Sequence, residues 1–176
     1  MSATPLIRPA TEADIPRITA IYAYHVLHST GTFETEAPSP EQMRQRIDEV
    51  HSRGLPWLVV EIDGQVQGFA YCNWFRPRAA FRYSAEDSIY LAPDAVGQGL
   101  GTQLLGELIR QAEALGIRKL MAVIGDSDNH GSRGLHRNFG FSEVGIIRNC
   151  GWKHGRWLDI VMVERVLGDG AETLPE

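Results

Sequence analysis

The chain has 176 residues, of which 43% are hydrophobic and 22% are charged. This length and balance are typical of one globular domain with a sizeable core, and they exclude a chain that is disordered throughout. The formal net charge of -5 argues against a general nucleic-acid or anionic-membrane binder, because both need excess positive charge. An anionic ligand must therefore be held by a local feature.

The N-terminal segment and the two cysteines indicate the compartment. Residues Met1 to Pro5 lack a basic segment followed by an apolar run, and no later apolar run approaches the roughly 20 residues of a membrane span. We therefore expect a cytoplasmic protein with no membrane partner. Cys72 and Cys150 lie in apolar, strand-like segments without a paired metal-ligand spacing, which predicts two free buried thiols and no metal site.

Apolar spacing and turn residues predict the elements of the first half of the chain. In chain order these are a strand, a helix, a loop, a second helix and a β-hairpin, over residues 6–8, 11–26, 29–40, 39–53 and 57–71. The first helix has apolar residues such as Ile18 and Ile21 at helical spacing. The hairpin is predicted from Asp63-Gly64, because this pair supplies the positive φ angles of a two-residue turn.

The second half of the chain predicts four more strands and two more helices. The strands cover residues 83–91, 120–124, 142–149 and 157–166, and the helices cover residues 100–115 and 132–138. The run Leu120 to Ile124 is continuously apolar, so we expect a strand covered on both faces that pairs in parallel with the strand before it. The predicted class is α+β, with a twisted mixed sheet of six to seven strands and about four helices. One domain spans residues 1–167, and residues 168–176 form a flexible tail.

The most informative segment joins the strand ending at Leu91 to the next helix. Gly97, Gly99 and Gly101 allow backbone N–H groups to point outward at the positive end of that helix, a geometry that suits a pyrophosphate. The dinucleotide fingerprint and the Gly-Lys-Ser/Thr phosphate loop are both absent, because Thr102 takes the place of a glycine and no Gly-Lys pair occurs. A turn without a ligand is the alternative.

This turn, Val96-Gly97-Gln98-Gly99-Leu100-Gly101, resembles the pyrophosphate loop Gln/Arg-x-x-Gly-x-Gly/Ala of the GNAT acetyltransferase superfamily, and Val96 departs from its first position. A second match to the superfamily's coenzyme A segments runs from Asp128 to Phe141. Across residues 5–167 the chain is similar to the phosphinothricin and methionine sulfoximine acetyltransferase group. The matching segments are Thr32–Glu34, Pro56–Val59, Ala85–Tyr90, Ala122–Gly125 and Gly151–Asp159.

The resemblance implies a GNAT fold, acetyl-CoA as co-substrate and a homodimer. Superfamily members bind the thioester and pantetheine along the edge of the strand before the turn, where a backbone N–H near Tyr90 and Leu91 polarises the carbonyl. The residues expected to contact the coenzyme are Ile89, Tyr90, Leu91, Gly97, Gln98, Gly99, Leu100, Gly101, Thr102, Asn129 and Asn138. For Asn129, a polar turn and helix cap is a compatible alternative.

Two residues are candidates for proton transfer. Acetyl transfer from a thioester to an amine needs a neutral nitrogen, a polarised carbonyl and a protonated leaving thiolate. Glu86 aligns with the group's catalytic glutamate and is assigned as general base through water, the alternative being a strand carboxylate paired with Arg82. His136 occupies the position of the superfamily's acid, so it is expected to protonate the thiolate or relay a proton, the alternative being a structural histidine.

Five residues are candidates for the acceptor pocket. Arg78 aligns with the group's substrate-binding arginine, and Arg76 is a second cation able to take a carboxylate. A solvated surface charge is the alternative for Arg76. Phe33, Phe75 and Phe81 are expected to wall the pocket, although half-buried aromatics are often core residues.

The combined prediction is an acetyl-CoA-dependent N-acetyltransferase acting on the α-amine of a small amino acid or analogue. Direct transfer in a ternary complex is favoured, because neither cysteine occupies a motif position for an acyl-enzyme. Two alternatives remain. One is a GNAT enzyme for another amine, such as a peptide N-terminus, a polyamine or an aminoglycoside, and the other is a non-catalytic acyl-CoA sensor.

Overall fold

Seven strands form one mixed sheet in the computed structural model of the chain, which describes residues 4–175. The strands are β1 (Leu6–Pro9), β2 (Trp57–Ile62), β3 (Gln65–Trp74), β4 (Ser84–Leu91), β5 (Lys119–Gly125), β6 (Ser142–Lys153) and β7 (Arg156–Val166). The α-helices of this described range are α1 (Ile15–His28), α2 (Pro40–Ser52), α3 (Leu100–Ala114) and α4 (His130–Asn138). The predicted α+β class, with its strand and helix numbers, is confirmed.

The strand order is β1-β2-β3-β4-β5-β7-β6. Every neighbouring pair is antiparallel except β4 and β5, which are parallel and joined by the crossover helix α3. The predicted parallel pairing is therefore confirmed. The Asp63-Gly64 hairpin is also confirmed, since both residues have positive φ, at 51° and 77°.

Helices α1 and α3 cover opposite faces of the sheet. The ring of Tyr90 on β4 meets that of Tyr22 on α1 at 5.0 Å, whereas the neighbouring Leu91 faces Gly101 of α3. Because successive strand residues point to opposite faces, the two helices lie on different sides. The apolar stripe of α3, including Leu104 and Leu108, is fully buried against the sheet.

Three details differ from the prediction. A 3-10 turn over Glu12–Asp14 precedes α1, and β6 continues to Lys153 past a bulge in which Asn149 has a φ of 51°. Cys72 is buried as expected, but Cys150 is exposed. The prediction of two buried thiols is wrong for Cys150 because β6 is the edge strand and bulges there.

Residues 1–3 and 176 lie outside the described residues, and the tail from 168 to 175 includes a contact of 2.9 Å from Arg118 to the Thr173 hydroxyl. The single-domain and flexible-tail assignments stay predictions. Within residues 4–175, the helices are too short or too polar to cross a bilayer.

Candidate active site

Strands β4 and β5 separate part-way along their length. They are paired only from Ser84 opposite Lys119 to Glu86 opposite Met121. Beyond that point β4 follows β3 to Leu91 and β5 follows β7 to Gly125. The backbone polar groups that face the gap therefore have no strand partner, so they are available to a ligand that carries amides.

A cavity of about 680 Å³ fills this gap. Its lining on β4 includes the predicted coenzyme residues Ile89, Tyr90 and Leu91, together with Asp87 and Ser88. Its lining on β5 runs from Ala122 to Gly125. The splay thus brings together two strand segments more than thirty residues apart in sequence.

The glycine turn closes one end of the cavity. Gly97 and Gly99 have φ angles of 82° and 76°, and Gly99 is the N-cap of α3. Gly97, Gly99, Gly101 and Thr102 all line the cavity, so the positive end of α3 faces it. This arrangement can hold an anionic group without any cationic side chain.

Two predicted coenzyme residues in this turn point elsewhere. The side-chain amide of Gln98 donates to the carbonyl of Asp94 at 2.8 Å, within the turn. The side chain of Leu100 is 1% exposed and belongs to the core. Neither side chain lines the cavity, so only the backbone of these two residues is in a position to contribute.

Helix α4 brings Asn129 to the cavity but leaves Asn138 away from it. Asn129 lines the cavity and is the N-cap of α4, where its side-chain oxygen accepts from the Ser132 N–H at 3.2 Å. The two readings of Asn129, cap and cavity residue, are thus compatible. Asn138 is exposed at the other end of the helix, roughly 13 Å away at 1.5 Å rise per residue.

Glu86 lies at the point where the strands separate. Its side chain is half-buried and lies on the face of β4 opposite to that of its neighbour Asp87. Burial raises the pKa of the Glu86 carboxyl, the charge of Asp87 raises it further, and the charge of Arg76 lowers it. Arg82 donates to the Ala79 carbonyl at 3.2 Å, and the ion pairs of residues 4–175 do not include Glu86.

His136 is paired with a carboxylate that the sequence analysis did not single out. Its Nε2 lies 2.9 Å from Oδ1 of Asp87, and its Nδ1 lies 2.8 Å from the carbonyl oxygen of Ser132. His136 is 2% exposed and Asp87 is 4% exposed. Burial lowers the pKa of His136, but the hydrogen bond and charge of Asp87 and the Ser132 carbonyl outweigh it, so the net pKa is raised.

The loop between α1 and α2 forms another wall. Ser29, Thr30 and Gly31 line the cavity, as does His25 near the end of α1. The His25 Nε2–H donates to the carbonyl of Leu91 at 2.8 Å, which ties this wall to the end of β4. Burial lowers the pKa of His25, which favours the neutral imidazole. No local motif in the sequence points to these four residues.

Lys153 holds this loop from the β6–β7 hairpin. Its side chain is buried at 4% exposure, and its ammonium donates to the carbonyls of Ser29 at 2.8 Å and Thr32 at 2.6 Å. A longer contact of 3.5 Å reaches the His25 carbonyl at the end of α1. Burial lowers the pKa of Lys153. Lys153 lies between the predicted strands 142–149 and 157–166, where the local sequence gives no sign of this role.

Phe33 packs against two glycines. A methyl group on Gly151 would lie 2.0 Å from one of its ring carbons, and one on Gly125 would lie 2.9 Å from another. Phe33 does not line the 680 Å³ cavity. Its contacts show that it anchors the loop to β5 and β6.

The other predicted acceptor residues cluster before β4. Arg76, Arg78 and Phe81 line a second cavity of about 350 Å³ with Pro77. The Arg76 guanidinium stacks on the ring of Phe75 at 4.1 Å, and this ring lies 6.0 Å from that of Phe81. The structure therefore brings these four predicted residues together, and the charge of Arg76 is the one felt at Glu86.

The chemistry of the site follows from these groups. The glycine turn and strand edge offer backbone donors, Glu86 offers a carboxylate of raised pKa, and the arginine cluster offers two cations. Within residues 4–175, no group of three His, Cys, Asp or Glu side chains is arranged to hold a metal ion.

Known proteins share this sequence and fold. The family model described as Acetyltransferase (GNAT) family matches residues 21–141. Phosphinothricin N-acetyltransferase of Alcaligenes faecalis is 47% identical over 170 residues, covering 97% of this chain and 86% of that protein. The L-methionine sulfoximine/L-methionine sulfone acetyltransferase of Pseudomonas aeruginosa is 40% identical over 160 residues, covering 90% and 92%.

The solved structures agree. The crystal structure of a GNAT superfamily phosphinothricin acetyltransferase from Sinorhizobium meliloti, in complex with acetyl-CoA, superposes with a TM-score of 0.95 at 42% identity. The match covers 100% of this chain and 94% of that chain. The resemblance noted in the sequence is confirmed. The chain therefore belongs to the GNAT acetyltransferase family and is an N-acetyltransferase.

Proposed function

We propose that this enzyme transfers the acetyl group of acetyl-CoA to the α-amine of a small amino acid or analogue of the methionine sulfoximine and phosphinothricin type. The observation that carries the proposal is the cavity between β4 and β5, closed by a glycine turn at the positive end of α3. A pantetheine arm carries amides that match the free strand edge, and a pyrophosphate matches the turn. The two relatives described above, which are named for these substrates, are 47% and 40% identical to this chain.

Glu86 acts as the general base, through water. Its raised pKa makes Glu86 a stronger base than an exposed glutamate would be, so it is better suited to accept the proton of the amine. The amine nitrogen attacks the thioester carbonyl and loses its proton toward Glu86, while a backbone N–H near Tyr90 and Leu91 stabilises the oxyanion. The C–S bond then breaks, and the thiolate takes up a proton.

Direct transfer in a ternary complex is supported by the state of the cysteines. Burial raises the pKa of Cys72 to about 12, and its side chain is fully buried, so it is no thiolate nucleophile at neutral pH. Cys150 lies on β6 and does not line the cavity. An acyl-enzyme on either residue therefore has no support.

Arg76 is proposed to bind the α-carboxylate of the acceptor, with Arg78 beside it. In an α-amino acid the carboxylate and the amine share one carbon, so the cation and the base must lie near each other. Arg76 meets this requirement because its charge acts on Glu86. The ring of Phe75 stacks on the Arg76 guanidinium, and Phe81 packs against Phe75.

A homodimer is also proposed, and its support is an exposed apolar strip on β6 and β7. Trp152 and Trp157 are 58% and 59% exposed and contact each other at 5.2 Å, and Val144 and Ile147 are also exposed further along β6. Large exposed aromatic patches are typical of interaction surfaces. The cytoplasmic location stays a prediction.

The test is an acceptor panel with thiol release as the readout. L-Methionine sulfoximine and phosphinothricin should be acetylated on the α-nitrogen, as product mass would verify, and the decarboxylated amine of methionine sulfoximine should react at least 100-fold more slowly. Replacement R76Q should remove this preference. Equal rates with and without the carboxylate, or a faster reaction with a peptide, polyamine or aminoglycoside, would contradict the acceptor class. Tight acetyl-CoA binding without turnover on any amine would indicate a sensor.

A further inference from the structure

Both ring nitrogens of His136 are already engaged inside the protein. The Ser132 carbonyl can only accept, so Nδ1 carries a proton and donates to it at 2.8 Å. Nε2 faces Oδ1 of Asp87 at 2.9 Å. The ring of Phe141 lies perpendicular to the imidazole, with 4.9 Å between the ring centroids, and covers another side of the His136 ring. His136 lines the cavity, but its side chain is only 2% exposed and both of its nitrogens have partners inside the protein, so neither is free to reach a thiolate there.

This geometry also fixes how many protons the pair holds. With Nδ1 protonated, a bare Nε2 lone pair would face a bare carboxylate, an arrangement that brings two acceptors together. A second proton must therefore lie between Nε2 of His136 and Oδ1 of Asp87. The imidazole is the more basic of the two groups, so this proton stays on Nε2. An imidazolium then faces a carboxylate, and the two side chains together carry zero net charge.

Asp87 lies at the cavity, where its negative charge would affect the reaction. It lines the cavity at the first residue beyond the paired part of β4 and β5. Its Oδ2 is buried and has no hydrogen-bond partner. The groups that face it are Cys72, opposite it on β3, and His136 from α4, while Glu86 adjoins it in β4. His136 is the only one of these able to carry positive charge.

We infer that His136 is a positioning residue whose function is to keep Asp87 neutralised next to the reacting thioester, and that it is not the acid that protonates the leaving thiolate. The inference rests on the proposed acetyl transfer. Both the oxyanion and the thiolate of that reaction are negative, so an uncompensated carboxylate beside the cavity would oppose their formation. The thiolate then takes its proton from water in the open cavity, and the amine proton lost toward Glu86 returns to solvent.

A pair of substitutions separates this role from that of a general acid. Replacement H136Q keeps an amide nitrogen where Nε2 lies but removes the positive charge, so kcat/KM should fall about 10- to 100-fold, as expected for unpaired like charges near the reaction. Adding D87N removes the carboxylate, and the double variant D87N/H136Q should regain at least 5-fold over H136Q. The exposed His51 on α2 provides the control H51Q. All variants are compared after their acetyl-CoA dissociation constants and melting temperatures are measured.

The same proton can be followed without turnover. In the full-length wild type, nitrogen NMR of labelled histidine, with His136 assigned as the signal that changes in D87N, should show His136 holding its second proton to a higher pH than in D87N. In D87N it should become a neutral imidazole with the proton on Nδ1. This measurement also decides the matter if H136Q does not fold.

Three results would overturn the inference. The first is a double variant no faster than H136Q, as a general acid requires, and the second is an unchanged rate in H136Q. The third is a neutral His136 in the wild type at pH 6. An inactive wild type that still shows the shared proton would instead count against the proposed function, so the two failures are distinguishable.

Discussion

Replacement of Lys153 by methionine tests whether the buried ammonium holds the loop that walls the active site. Methionine has a similar length and no donor, so the carbonyls of Ser29 and Thr32 lose bonds of 2.8 Å and 2.6 Å. These bonds join residues more than 120 positions apart in the chain. Two other contacts tie the loop to the β6–β7 hairpin: the ring of Phe33 packs against Gly151, and His154 Nε2 lies 3.3 Å from the Ser29 carbonyl.

The magnitude follows from the two carbonyls. A buried polar group left unpaired costs about 1–3 kcal/mol, so two cost at most about 2–6 kcal/mol. The Ser29 carbonyl contributes the smaller part, because it keeps its contact with His154. Removal of a buried ammonium returns part of this, because burial already opposes its charge, as the lowered pKa of Lys153 shows. We therefore expect K153M to lose about 2–4 kcal/mol of unfolding free energy, which is roughly 5–15 °C in melting temperature for a domain of this size.

The assay is urea denaturation with the chain's other lysine as control. Lys119 pairs with Glu164 at 2.9 Å on the surface, with both side chains 34% exposed. An exposed pair contributes about 0–1 kcal/mol, so K119M should change stability by less than 1 kcal/mol. In K153M the acceptor KM should also rise, because the loop it holds lines the cavity. A K153M protein as stable as K119M would refute the reasoning.

Three further predictions concern the coenzyme turn, acid stability and the loop anchor. In G99V, a β-branched residue at a φ of 76° should raise the acetyl-CoA dissociation constant at least 10-fold by calorimetry, and unchanged binding would argue against the turn as the pyrophosphate site. Arg8 holds the pKa of Asp14 at about 2, so the stability this pair contributes above pH 4 is lost as pH falls toward 2, and urea midpoints of D14N should vary less over that range. In G151A, displacement of Phe33 should cost about 1–3 kcal/mol, whereas G145A, with open space around it, should cost less than G151A in the same urea titration.

The fold was largely predictable because its elements carry local signals. The Asp63-Gly64 turn and the leucine stripe of α3 depend on residues a few positions apart, so periodicity and turn chemistry suffice to find them. The parallel β4–β5 pair followed from the apolar run Leu120 to Ile124 and the helix before it. The bulge that exposes Cys150 has no comparable local signal, since it depends on how β6 pairs with β7.

The turn proposed to hold the coenzyme was predictable as a local structure for the same reason. Gly97, Gly99 and Gly101 form one contiguous turn, and the structure places all three at the cavity. Asn138 shows the limit of that reasoning. It shares a helix with Asn129, but the helix carries it to the far end, away from the cavity, and sequence proximity alone could not show this.

The loop held by Lys153 and the pair formed by Asp87 and His136 depend on contacts that no short motif contains. The residues next to Lys153 in the sequence indicate only a hairpin. Its hydrogen bonds to the carbonyls of Ser29 and Thr32, which fix the loop, become visible only in the tertiary fold. Asp87 likewise could not be singled out locally, because its hydrogen-bond partner His136 is 49 residues away in the sequence. Sequence reasoning found Glu86 by alignment with a family pattern, but the carboxylate next to it, on the other face of the strand, is the one tied to His136.

This division has a consequence for specificity. The coenzyme half is built from one strand, one turn and one helix that follow each other in the chain, so substitutions there act on acetyl-CoA binding directly. The loop wall of the cavity is assembled from α1, the following loop and the β6–β7 hairpin, which meet through Lys153 and Phe33. Changes at these two residues should therefore alter the choice of amine while leaving the coenzyme turn intact. The same hairpin carries the exposed Trp152 and Trp157. Association through that strip would therefore affect the loop wall more directly than the glycine turn.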